Sequence, residues 1–446
     1  MKNTNNNDAS RRPTRRATLL LPLLALAASL PGWAQEVFET PTDEPPGASL
    51  TAAQISGKYF HVEDPVHSDG LMHRYVIESR FGEFSAYGVD ALNVRLQEVA
   101  ALTTITDMSD ENVAFKAVAR GMQDQVKMVR RTTTHPIDTL VGVPVGIAHL
   151  LGGYRAQAQE ITTQAKQQLT SHHTSTAGDS QSSTVAKAGA QATHLAKSQA
   201  DHYFGLSVAE RRWYAKLGVD PYTNNPVLRK AVTHLARIDA AASFGMRFAP
   251  VGIPFAGEMQ HALDAIDHED PAVLRKRRHE TLVAQGLSEA EIERFEHTPL
   301  LTPTRQTVLV DAVSALSGVD GRVELLRHAI TVEYEEEIEV FLQSTLSLLR
   351  FHAHQPVQRI LAGPRIPTAQ LADSHIVVFG AFDAVQWTEQ VAGYERSLRE
   401  VLPPTAGREV WITGSVSAAA RSALEQRGWI VHVSSTDAAA NASHTT

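Results

Sequence analysis

Hydrophobic and polar residues alternate with a period of two over 59–62 and 75–79, and a turn at 80–82 leads into a second alternating run as far as Tyr87. The pattern predicts a small antiparallel β element near the N-terminus. The period then lengthens. A helix is expected over about 91–102, and another from Ser109, whose hydroxyl can cap while Asp110 and Glu111 face the positive end of the helix dipole. Phe115, Val118, Met122, Val126 and Val129 recur at spacings of three and four and form one apolar stripe. Residues 136–153 are apolar but broken by glycine and proline, and 170–183 are Ser, Thr, His, Gly and Gln, the composition of a solvated linker.

Helix starts are written most clearly between 207 and 303. Ser207 with Glu210 and Ser288 with Glu291 read as capping boxes, and Asn225-Pro226, Asp270-Pro271 and Thr302-Pro303 each place a capping side chain before a proline suited to the first turn. A further helix is expected over about 322–352, with the run Glu333, Glu335, Glu336, Glu337 and Glu339 read as a solvated face. The last region changes character: apolar stretches at 376–379, 410–413 and 429–433 alternate with helical stretches near 388–402 and 418–426. Strand, helix, strand, helix, strand implies parallel pairing with right-handed crossovers. The expected fold class is therefore α+β overall, mainly helical, with a small N-terminal antiparallel β element and a C-terminal βαβαβ unit.

The division that follows is a cleavable signal peptide (1–34), a flexible leader (35–57), a β-hairpin with helices (58–155), a polar linker with some helix (156–205), an all-helical domain (206–360), a small α/β unit (361–436) and a polar tail (437–446). The leader assignment rests on its Pro, Thr, Glu and Gly content, which offers little apolar surface to offset ordering entropy.

Charge and composition sharpen this picture at the N-terminus. Lys2, Arg11, Arg12, Arg15 and Arg16 precede an uncharged run from 17 to 34 that ends in Pro31, Gly32 and Ala34, the order of a secretory signal cut before Gln35. Arg15 and Arg16 opening the apolar run also suit the twin-arginine route, although Thr18 stands where that signal prefers a large apolar residue. The formal net charge is −8, and because the first 34 residues carry five basic side chains and one acidic one, the remainder carries −12. A chain that acidic is not expected to bind nucleic acid. The absence of cysteine removes disulfides, thiolate metal sites and thiol catalysis.

Candidate chemistry lies in three places. In a parallel sheet, ligands settle beyond the carboxyl ends of the strands, where Asp383 follows the stretch 376–379 and Ser415 and Ser417 follow 410–413. A carboxylate facing Gly and Ser amides could position a small anion or a water, while the plainer reading makes these residues helix caps. His61, His67 and His73 stand among acids at 61–73 and are weak metal candidates, at a spacing that fits no ligand pattern; no metal or cofactor is expected. Lys127, Arg130 and Arg131 beside Val141 and Val143, with Arg277 and Arg278 beyond a similar Gly/Pro segment, suggest a membrane or partner surface, against the simpler reading of buried connections. No nucleophile elbow, P-loop or dinucleotide fingerprint is present. The expected function is that of a periplasmic or secreted binding protein for an envelope component or another protein, with peripheral membrane contact among its roles. The alternative is an exported enzyme, such as a hydrolase, at the strand ends.

Overall fold

The structure is a computed structural model that describes residues 36–111, 145–151, 206–237, 261–262, 264–266, 268–403 and 407–433. After a 3-10 turn Pro46–Ala48 and a short helix α1 (Ala52–Ile55), five strands form the first sheet: β1 (Ser56–Gly57), β2 (Phe60–Val62), β3 (His67–Ser68), β4 (His73–Ser79) and β5 (Gly82–Tyr87). All its pairings are antiparallel, with β4 between β2, β3 and β5. Along β4, His73, Tyr75 and Ile77 are buried while the residues between them are not, which is the alternation that the sequence shows.

Helix α2 (Val89–Glu111) covers this sheet with Leu92 and Leu96, then turns Val99, Leu102 and Ile105 toward helices α4 (Val208–Leu217) and α5 (Pro226–Arg237). It runs unbroken through Ser109, so the expected stop near 102 and restart at Ser109 do not occur. The physical reason is that its apolar positions stay in phase to Met108, and two cores on one helix stabilise it along its length. Between α2 and α4 lies the short helix α3 (Val145–Leu150), with Ile147, Ala148 and Leu150 buried.

Helices α6 (Pro271–Gln285), α7 (Glu289–His297), α8 (Pro303–Ala315), α9 (Glu324–Ala329) and α10 (Glu335–His354) build the central layer. All five expected helix starts are present. Ser207 Oγ accepts from the Glu210 amide at 3.2 Å, Asn225 Oδ1 from Val227 and Leu228 at 3.1 Å, Asp270 Oδ1 from Ala272 at 2.8 Å and Thr302 Oγ1 from Arg305 at 3.3 Å. At Ser288 the backbone amide donates to Glu291 at 2.8 Å.

The single helix expected over 322–352 is instead two, α9 and α10. Thr331 Oγ1 donates back to the His328 carbonyl at 2.8 Å, and Tyr334 is extended. The Glu333 amide then donates to Glu337 Oε2 at 3.0 Å, so the acidic run marks a helix start, where carboxylates meet the positive end of the dipole. Only part of that run is a solvated face: Glu333 and Glu335 are exposed, whereas Glu337 is buried with its Oε1 2.6 Å from His149 Nδ1, and Glu335 and Glu339 both bind Arg305.

The second sheet joins β6 (Arg359–Ile360), β7 (Thr368–Gln370), β8 (Ile376–Gly380), β10 (Arg408–Ile412) and β12 (Trp429–Val433) in the order β12-β10-β8-β7-β6. The strands β8, β10 and β12 are parallel, linked by α11 (Glu389–Val401) and α12 (Ala418–Gln426), and β7 and β6 add antiparallel pairings. The short strands β9 (Ala384–Val385) and β11 (Ser415–Val416) pair beside them. The fold is thus α+β, as the sequence implies. One hydrophobic cluster runs across the expected boundary at 360/361, where Phe351 of α10 meets Phe379 and Trp411 with ring centroids 5.3 and 5.1 Å away.

Within the expected flexible leader of 35–57, the stretch from Glu39 to Leu50 is held against the rest of the fold, although most of its side chains stay exposed. Glu44 bridges to Val66, the Glu39 amide donates to the Trp387 carbonyl at 2.7 Å, and Pro46 and Leu50 are buried. Few apolar residues suffice because backbone pairing to existing elements supplies the rest.

Candidate functional site

The strands β8 and β10 run side by side, and the turns after them close one wall of a cavity of about 570 Å³. Gly414 allows this closeness: a Cβ there would stand 2.0 Å from the Asp383 carbonyl oxygen, so no side chain fits between the two turns. The other walls come from Glu44, from His73 and Tyr75 of β4, from residues 88–91 where the first sheet passes into α2, and from Glu339, Gln343 and Arg350 on one side of α10.

Asp383 ties these parts together. Its carboxylate accepts from the His73 amide at 3.0 Å and from the Val89 amide at 3.2 Å, so it caps α2 from 294 positions away in sequence. Burial pushes its carboxyl above the usual range, while the two amide donors and the nearby His73 pull the other way. Beside it, Asp90 in the first turn of α2 lines the same cavity, and its pKa is pushed up to about 7 by burial and by the charges of Asp383 and Glu339, with Arg350 opposing. Tyr87, also on the wall, donates its hydroxyl to Asp69, whose other oxygen accepts from the amides of Leu71 and Met72 at 2.8 Å. Burial and Asp69 hold the Tyr87 phenol well above its ordinary range.

The expected pair Asp383 and Ser415 therefore lines one cavity without forming a catalytic couple. Ser415 Oγ lies 3.4 Å from the backbone carbonyl of Asp383, not from its carboxylate, and the Ser415 amide donates to that same carbonyl at 2.8 Å. Ser417 caps α12 through the Ala420 amide at 2.9 Å and donates its hydroxyl to Glu39 at 2.6 Å, so it fastens the N-terminal segment to the second sheet.

The three histidines do not converge. His61 pairs with Glu78 at 3.2 Å and His67 with Asp43 at 2.8 Å, both exposed, while His73 is buried with its Nδ1 3.2 Å from the Tyr75 hydroxyl. Among the described residues no group of three or more His, Asp or Glu side chains is placed to hold a metal ion. Arg277 is exposed and paired with Glu269 at 2.6 Å, whereas Arg278 is buried among the residues that α6 turns inward, so these two do not share a surface. Arg15, Arg16, Ala34, Lys127, Arg130, Arg131, Val141 and Val143 lie outside the described residues. Among the described residues no helix is long and apolar enough to cross a membrane.

Glu44, Asp90 and Arg350 were not among the residues that the sequence singles out, and Glu339 was read only as part of a solvated acidic face. A readable trace exists for two of them: Asp90 follows a strand-to-helix glycine, and Glu339 and Gln343 are spaced by one helical turn. Compared with known proteins, the chain matches no family model, no curated protein and no solved structure.

Proposed function

We propose that this is an exported binding protein whose ligand is a small polar molecule held in the strand-end cavity. The observation that carries the reading is the convergence on one cavity of about 570 Å³ of carboxylates from four separate stretches of chain, Glu44, Asp90, Glu339 and Asp383. The volume falls in the range of about 300–1,000 Å³ typical of small-molecule sites, and the position beyond the carboxyl ends of parallel strands is where such folds place ligands. Binding is favoured over hydrolysis at Ser415 because that hydroxyl faces a carbonyl and, among the described residues, forms no hydrogen bond to a base that could take its proton. The membrane-surface version loses support from the described part of its apolar segment, where Ile147, Ala148, Leu150 and Leu151 are buried.

The test is a thermal-shift screen of small polar compounds against the chain following residue 34, repeated with Ser415→Trp, which fills the exposed mouth of the cavity without touching the core. A compound that raises the melting temperature of the parent and not of the variant supports the reading. Compounds that stabilise both equally would place binding elsewhere and overturn it.

A further inference from the structure

The strand-end cavity adjoins a second one of about 360 Å³, because Tyr87, Ala91, Glu339 and Gln343 line both. Of these four only Gln343 is buried, with 6% of its surface exposed. It stands one helical turn beyond Glu339 and two turns before Arg350, on the side of α10 that faces the first cavity.

The polar side chains around it serve the fold. Ser344 accepts from the Ala381 amide at 3.0 Å, Thr345 donates to the Phe341 carbonyl at 2.8 Å, and Glu339 binds Arg305. Gln306, another buried glutamine, donates to the carbonyls of Leu301 at 2.8 Å and Glu296 at 3.2 Å. Gln343 does none of this. Among the described residues its carboxamide gives and receives no hydrogen bond, and neither its oxygen nor its nitrogen is sealed in the packing, as Oε1 of Gln285 and of Gln306 are. An amide withdrawn from water without a partner costs stability that leucine at the same position would not, and a ligand in the cavity can supply the partner.

A carboxamide holds an acceptor oxygen and a donor nitrogen side by side in one plane. The group that satisfies both at once presents a donor and an acceptor along one edge, as primary amides, lactams and nucleobases do; glutamine reads adenine in this way. Resting on the cavity reading above, we infer that Gln343 determines the specificity of this site and that the ligand is an uncharged planar compound carrying such a cis-amide edge. An anionic carrier is disfavoured by Glu44, Asp90, Glu339 and Asp383 on the same walls, and Arg350 already opposes the charge of Asp90, so no cation is required. Tyr87, whose hydroxyl is given to Asp69, adds an aromatic ring to the two shared walls, a surface suited to a planar group.

Titration calorimetry on the chain following residue 34 tests this with matched pairs: benzamide and N,N-dimethylbenzamide, 2-pyrrolidone and N-methyl-2-pyrrolidone, uracil and 1,3-dimethyluracil, adenine and N6,N6-dimethyladenine. The second member of each pair lacks the donor. In at least one pair the edge-bearing member should bind about tenfold or more tightly than its methylated counterpart, and which pair does so separates amide, lactam and base. Gln343→Leu should bring the two members level, while Gln343→Glu, which exchanges a donor for an acceptor, should shift the preference from benzamide to benzamidine. The pairs in the parent protein decide the matter whether or not the variants fold. Equal affinity within every pair, no binding by any edge-bearing compound, or a preference that survives Gln343→Leu yet is lost in Ser415→Trp would overturn the inference and leave the cavity reading intact. A preference that survives both substitutions would overturn the cavity reading as well.

Discussion

The two five-stranded sheets meet at the cavity and supply it with different things. In the first sheet every neighbour is antiparallel, so the chain doubles back through tight connections, and its contribution is β4 and the turn after β5, whose His73 and Val89 amides both donate to the Asp383 carboxylate. In the second, β8, β10 and β12 point the same way and finish together, which leaves a row of strand ends where Asp383 and the Gly414 turn stand open. The burial patterns differ to match: β4 alternates between inside and outside, whereas all five residues of β8 are buried. The parallel sheet supplies the acid, the antiparallel one supplies the donors, and Asp383 is the bond between them.

Three substitutions would break or sharpen that comparison. The largest effect is expected at Phe351, the α10 side chain that packs on both Phe379 and Trp411. Phe351→Ala should cost about 3–5 kcal/mol, read from urea denaturation, and a loss far below that would show that the helical layer does not depend on the second sheet.

Next comes Asp383→Ala, which strands the amides of His73 and Val89 and should cost about 2–4 kcal/mol. Hydrogen exchange should then quicken at those two amides before it does elsewhere in the first sheet. Uniform exchange across the sheet would mean that the carboxylate is not what joins the two halves.

The smallest effect is a gain. Because the folded pKa of Asp90 is raised to about 7, ionising it penalises the folded state: the penalty is absent below the unfolded carboxylate range and grows as pH rises through that value. Asp90→Asn should accordingly stabilise the protein by roughly 1–3 kcal/mol at pH 8 and hardly at all at pH 4. Equal melting temperatures for parent and variant at both pH values would contradict the strain assigned to that carboxylate.

Much of the architecture was legible because its signals are local. Ser207 with Glu210 and Thr302 with Pro303 announce helix starts within four residues, and the alternation of Tyr75 and Ile77 with polar neighbours announces a strand. The break between α9 and α10 was hidden because apolar residues continue through Ile330 and Ile338, while the acids that start α10 look like a charged face when no partner is visible. The cavity was half legible. Asp383 and Ser415 stand where parallel strands must end, but Glu44, Asp90 and Glu339 meet them only through tertiary folding, and no spacing in the sequence records that. Arg278, read as surface because it stands in a basic run, is buried, since it shares a helix face with Leu274 and Leu282.

The bond from Asp383 to His73 spans 310 positions, and the hydrophobic cluster beneath it contains both Leu71 and Trp429. On a ribosome, the first sheet emerges long before the residues that cap it. A chain that ends before Ser415 has neither that part of the cavity wall nor the strand β12 that flanks β10. The walls of the strand-end cavity, which run from Glu44 to Ser415, are therefore complete only after the first two parallel strands of the second sheet have been made.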